Sequence, residues 1–260
     1  MDSLSHTLNQ QGNLHFERGD YADAQNCYQR ALEVDRKSGN PRDLTQTLGN
    51  LANICACTGR TEQARAHYQE VLALQKAFGD QRGIGITLAN LGNLEADAGA
   101  AERGEAYYLE ALDLLEPLDE PRTVATILGN LGLVARGRGE YDRTIALTER
   151  AVLLMKRVGD HMSMAGLYNQ LGKTYRLARR HADAFACCRT ALDVAQRLGD
   201  ERLEAAARYH LAFIHAEQEQ FAEAVAMMER VVRIDEKYDL PKLAENRRWL
   251  GEWRGKADTP

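Results

Sequence analysis

The sequence has little of what most functional classes need. It carries five prolines, four serines and two tryptophans in 260 residues. No apolar run approaches the roughly 18 residues of a membrane-spanning helix, which excludes a helical membrane protein. The opening MDSLSHTLNQ has neither the basic nor the apolar region of a secretory signal, so a cytoplasmic location is expected. The net charge is −5, which leaves no excess of basic residues for nucleic acid or an anionic membrane surface. Neither is expected as a partner.

Cysteine is sparse and odd in number. Cys27, Cys55, Cys57, Cys187 and Cys188 form a C-x-C and a C-C, neither of which makes a disulfide framework or half of a zinc site. On a helix Cys55 and Cys57 point about 200° apart, so they cannot share an ion. Catalytic signatures are equally scarce. Ser3, Ser5, Ser38 and Ser163 lie in no G-x-S-x-G elbow. The stretch Gly172-Lys173-Thr174 lacks the earlier glycine of a phosphate loop, having Leu167 in its place, and follows no strand pattern. His210 and His215 are five residues apart, about 140° around a helix, which is wrong for joint metal chelation. The expectation is a protein that is not an enzyme, with no cofactor and no metal.

What the sequence does have is a period. LGNLAN, LANLGN and LGNLGL begin at Leu48, Leu88 and Leu128, forty residues apart. Small residues recur in the columns Gly12, Ala52, Gly92, Gly132, Gly172, Ala212 and Ala24, Ala64, Gly104, Thr144, Ala184, Ala224. A third column runs Ala31, Val71, Ala111, Ala151, Ala191, Val231, and large apolar residues repeat at Leu51, Leu91, Leu131, Leu171, Leu211. Gly19, Gly59, Gly99 and Gly139 punctuate the middle of a unit, and SGN, FGD, LDE, VGD, LGD and YDL close the six units. Glycine suits the left-handed position that ends a helix, and the following Asn or Asp caps the next one. Pro41, Pro121 and Pro241 follow directly, where a first helical turn tolerates proline.

These signals predict six forty-residue helix pairs over residues 1–240, with units 5–40, 41–80, 81–120, 121–160, 161–200 and 201–240. A capping helix is expected at 241–253 and a disordered tail at 254–260. In the cap, Leu243, Trp249 and Leu250 would cover the sixth unit and the arginines would face outward.

Small residues at the eighth, twentieth and twenty-seventh positions of each unit, counted from Ser5, resemble the tetratricopeptide repeat. The forty-residue unit with Leu-Gly-Asn and a closing Phe-Gly-Asp is similar to Leu-Gly-Asn-repeat spindle adaptors and kinesin light chains. The resemblance implies an all-α, right-handed superhelical solenoid of antiparallel helix pairs, whose first helices line a concave groove. It also places the sixth column (Gln10, Asn50, Asn90, Asn130, Gln170, His210) and the ninth (Asn13, Asn53, Asn93, Leu133, Lys173, Phe213) in that groove. Residues three apart share a helix face, so the amides form one stripe.

An amide offers two donors and an acceptor, which match the backbone of an extended peptide, and asparagines in these columns bind peptide backbone in the resembled families. The small fifth column, Gly49, Ala89 and Gly129, would let that backbone lie close. The alternative is that the amides tie neighbouring first helices together. Arg136, Lys173 and Arg176 add positive charge at units four and five, favouring an acidic stretch of the partner there. The lysine–arginine set that family members use to seize a terminal carboxylate is missing, because its cation positions hold Asn9, Ile86 and Asn90. The expected function is therefore a protein–protein adaptor taking an extended peptide. A scaffold using its end faces, including a homodimer through the exposed first repeat, and a sensory domain of a larger regulator are the alternatives.

Overall fold

The computed structural model describes residues 4–258, in which thirteen α-helices, one short 3-10 turn and no strand are present. The helices come in pairs: α1 (Leu4–Arg18) with α2 (Tyr21–Ser38), α3 (Pro41–Cys57) with α4 (Thr61–Phe78), and α5 (Gln81–Asp97) with α6 (Ala101–Leu115). Three further pairs follow: α7 (Pro121–Gly137) with α8 (Tyr141–Arg157), α9 (His161–Leu177) with α10 (His181–Leu198), and α11 (Glu201–Glu217) with α12 (Phe221–Tyr238). α13 (Leu243–Ala257) closes the chain. None of the described helices is long and apolar enough to cross a membrane.

Local chemistry sets the helix ends. Asn40, Asp80, Asp160 and Asp200 accept from backbone N–H groups two or three residues ahead, satisfying donors that a first turn leaves unpaired. Gly59 turns the second pair at φ 74°, where a side chain would cost energy. In the fifth pair Arg179 occupies the same left-handed region at φ 61°. Pro41 and Pro121 begin their helices, but Pro241 lies in a turn two residues before α13.

The chain divides into two compact units, residues 1–123 and 124–260. In the first, the small eighth column exists to admit a ring. A Cβ on Gly12 would fall 2.4 Å from the Tyr28 ring, and one on Gly92 would fall 2.6 Å from that of Tyr108. Across α5 and α6, a Cβ on Gly104 would meet the Gly92 carbonyl oxygen at 2.9 Å, so these two helices approach backbone to backbone. Buried polar groups join successive pairs. Asn9 donates to Thr47 Oγ1 (2.7 Å), Thr47 donates to Asp35 Oδ2 (2.6 Å), and Thr87 donates to Gln75 Oε1 (2.9 Å). Glu95, with a wholly enclosed side chain, accepts from Arg65 Nε at 2.6 Å and Arg103 Nη2 at 3.1 Å.

In the second unit smaller partners replace the tyrosines. Gly172 packs on Cys188, whose sulfur would lie 2.2 Å from an added Cβ. Thr144 stands between Gly104 and Ala184 in its column, and its hydroxyl is satisfied by the carbonyls of Gly132 and Glu140. Leu250 and Trp253 of α13 are buried against Met228, Val231 and Val232, with Leu243 and Trp249 packed alongside. The closing helix thus starts later and ends later than the sequence suggested. Residues 254–257, expected in a disordered tail, form its last turn, because Trp253 anchors it, Arg254 bonds Glu229 (2.8 Å) and Lys256 bonds Glu252 (2.7 Å). Asp258 caps that helix, and residues 259 and 260 of the expected tail lie outside the described residues.

Candidate functional site

In the first unit the ninth-column asparagines share one arrangement. The hydroxyls of Tyr28, Tyr68 and Tyr108 donate to Oδ1 of Asn13, Asn53 and Asn93, each at 2.6 Å and each fifteen residues back in sequence. Burial pushes the Tyr28 phenol up to about 12 and raises that of Tyr68 as well, so both are protonated donors at neutral pH. A donated hydroxyl fixes which end of the carboxamide is oxygen. Asn53, Asn90 and Asn93 then line a cavity of about 420 Å³ together with Tyr68 and Asp97.

The sixth column behaves differently. Asn50 donates to Oδ1 of Asn9, one repeat earlier, at 3.0 Å, and Gln170 donates to the Gly129 carbonyl at 2.9 Å. At these two positions the amide ties consecutive repeats together, as the alternative reading of the stripe expects. Gln170 also sits beside Gly129, within 3.8 Å of where a Cβ would stand, so the cleared floor expected there is occupied by a side chain. Asn130 and Gln170 line a smaller concavity of about 240 Å³ with Gly166 and Leu167.

The second unit brings its cations together. Lys173 and Arg176 of α9 meet Arg202, Tyr209 and His210 of α11, Asp235 of α12, and Lys242 and Asn246 beyond it, around a cavity of about 650 Å³. Its one lining carboxylate, Asp235, is held by Asn246 Nδ2 at 2.7 Å. Arg176 pairs with Glu217, whereas Arg136, Lys173, Arg202 and Lys242 have no carboxylate partner among the described residues. Burial lowers the pKa of Lys173, and Arg136, Lys242 and Arg176 act in the same direction. Burial also lowers that of Arg136. The His210 imidazole is driven down to about 3, first by burial and then by the surrounding cations, and its buried Nδ1 has no hydrogen-bond partner.

Of the three cations singled out in the sequence, Lys173 and Arg176 line this cavity and Arg136 is not among its lining residues, whereas Arg202, Lys242 and Tyr209 were not singled out. A signal was present. The same forty-residue period puts a cation at Arg42, Arg82, Arg122, Arg202 and Lys242, broken by Met162. The pairing of a ninth-column asparagine with a tyrosine fifteen residues on was also readable. It holds in the first three repeats and ends where Thr148, Cys188 and Met228 replace the ring.

Stacked two-helix units with recurrent small contacts and side-chain concavities define a helical-repeat protein of the interaction type. The tetratricopeptide-repeat model matches residues 3–77, 43–116, 123–184 and 163–237, and the chain belongs to that family. No curated protein matches the sequence. Among solved structures, BtubC (BKLC) from P. vanneervenii is 25% identical at TM-score 0.66, over 73% of this chain and 78% of that one. The STAND protein with a tetratricopeptide repeat sensor, PH0952 from Pyrococcus horikoshii, is 14% identical at TM-score 0.85, over 98% of this chain and 39% of that one. A Rap protein complexed with competence and sporulation factor is 13% identical at TM-score 0.70, over 97% and 75%. The last two likenesses establish the fold alone.

Proposed function

We propose that this chain is a non-catalytic protein–protein interaction adaptor that binds an extended peptide segment of its partner. Backbone carbonyls of the segment would accept from the NH2 groups of Asn13 and Asn53, with Asn90 and Asn93 alongside. An acidic stretch would lie toward Arg136, Lys173 and Arg176. The observation that carries this reading is the tyrosine–asparagine bond repeated in three successive pairs. With its oxygen taking the tyrosine proton, such an amide offers a partner its NH2. Asn50, Asn130 and Gln170 belong to the same stripe, and the bonds of Asn50 and Gln170 assign them to holding repeats in register.

The test is selection from a displayed library of random peptides, using the wild-type chain and an Asn53→Ala/Asn90→Ala/Asn93→Ala variant. Peptides enriched by the wild type should bind the variant at least tenfold more weakly, with the circular dichroism spectrum unchanged. Equal enrichment by both proteins would overturn the reading. A second reading, self-association through the first repeat, is favoured by Leu4 and Leu14, which are 62% and 55% exposed. It predicts a molecular mass that rises with concentration in light scattering and a return to monomer in Leu4→Glu/Leu14→Glu.

A further inference from the structure

The cavity in the second unit has more positive charge than the protein itself neutralises. Lys173, Arg176, Arg202 and Lys242 line it; Glu201 and Glu204 of α11 are committed elsewhere, and Glu245 of α13 is the further carboxylate that acts on Tyr209. Glu201 bonds Lys237, Tyr238 and Arg230, and Glu204 bonds Arg208 and Arg230. Glu217 pairs with Arg176 and lies 3.6 Å from His181. Lys242 Nζ stands 5.2 Å from the centre of the Tyr209 ring, and the Arg202 guanidinium 5.3 Å from that of Tyr238, so both are held by aromatic faces rather than by carboxylates. One buried donor faces no acceptor, Nε of Arg176. A buried polar atom without a partner is costly, and one beside a cationic cavity is satisfied by an anion.

We infer that this cavity binds a compact dianionic group carried by a peptide: two adjacent Asp or Glu carboxylates, or one phosphoryl group. Two charges match the excess better than one. Of the four lining cations, Arg176 is offset by Glu217, and the Asp235 carboxylate offsets part of the remaining three. The planar donor fork of Arg202 suits carboxylate or phosphate oxygens, while Lys173 and Lys242 act as point charges on either side. The inference deepens the peptide-binding reading by naming an anchor, and it rests on residues that the asparagine row does not include.

The probes are three capped peptides, Gly-Asp-Asp-Gly, Gly-phosphoserine-Gly and the neutral Gly-Asn-Asn-Gly, with inorganic phosphate as a fourth. Each is titrated into the full chain at low salt while amide and indole signals are followed by NMR. At least one dianionic peptide should shift signals of Lys173, Tyr209, His210 and Lys242 and leave those of the Asn53 region in place. The neutral peptide should shift none of them. Phosphopeptide alone identifies a phosphoryl ligand, and the Asp-Asp peptide alone identifies carboxylates. Lys173→Gln/Lys242→Gln should weaken the response at least tenfold, and Arg202→Gln serves as the independent variant if the first folds poorly. An equal response to the neutral peptide, an unchanged response in both variants, or a response to inorganic phosphate but to no peptide would overturn the proposal. The displayed-peptide selection on the asparagine variant is unaffected by any of these results, so failure of the anchor and failure of the adaptor reading are separable.

Discussion

Replacing Tyr68 by Phe removes one oxygen and nothing else. The ring keeps its place against its buried neighbours, while Asn53 loses the hydroxyl that donates to its Oδ1 at 2.6 Å. Asn53 is half-buried and borders a cavity, so water replaces the lost donor in part. The cost should then be about 1 kcal/mol, the ordinary net value of a protein hydrogen bond, and not the ~3 kcal/mol of a sealed, unsatisfied acceptor. Asn53→Ala should cost a similar amount, and the double variant little more than either single one, giving a coupling of about 1 kcal/mol. Urea denaturation of the full chain, followed by far-ultraviolet circular dichroism, measures this. Both tryptophans, Trp249 and Trp253, lie in the second unit, so their fluorescence reports on that unit separately, as repeat arrays with more than one transition require. Tyr28→Phe should cost less, because its acceptor Asn13 is exposed. If the Tyr68 and Asn53 effects simply add, the hydroxyl does not orient the amide. If Tyr68→Phe leaves binding of a selected peptide unchanged, the donor row has no role in recognition.

Glu95→Gln should destabilise the first unit by about 3 kcal/mol, at the low end for breaking a buried ion pair because Arg65 retains Glu62; the urea midpoint reads it. Gly172→Ala should cost about 2 kcal/mol through overpacking against Cys188, and adding Cys188→Ala should recover most of that loss, which thermal denaturation of the two variants compares. Asn50→Ala should cost about 1–2 kcal/mol by leaving the buried Asn9 oxygen unpaired, whereas Asn90→Ala should stay within about 0.5 kcal/mol; equal effects would refute the role of the Asn50–Asn9 bond in tying repeats together. His210 is held neutral in the folded chain down to about pH 3, against 6.5 for an ordinary imidazole. Between those values only the unfolded chain takes up the proton, so stability falls as pH drops from about 6.5 toward 3. The slope from this one group is at most about 1.4 kcal/mol per pH unit. His210→Gln should flatten the profile in that window, and an unchanged profile would show that His210 titrates normally.

The period, the pairing of helices and the turn positions were legible in the sequence because each depends on residues close together in the chain. A capping Asp, a left-handed glycine and a small residue opposite a ring act within one helix pair, and forty-residue repetition then copies the same solution. The closing helix was misjudged at both ends for the opposite reason. Pro241 and the early Leu250-Gly251 are local signals, but its last turn is held by Glu229 and by the burial of Trp253 against the sixth pair. The amide stripe was visible as a column, yet its two halves diverge only in three dimensions. The ninth column meets tyrosine hydroxyls within its own pair, whereas Asn50 and Gln170 of the sixth reach back to the repeat before. The cationic cavity needed tertiary structure most. Lys173, Arg202 and Lys242 are separated by whole helices, and only the stacking of α9, α11 and the approach to α13 sets them around one space. Periodicity determines which face of a helix is buried; which charges from different helices meet, and which remain without a partner, is a matter of packing.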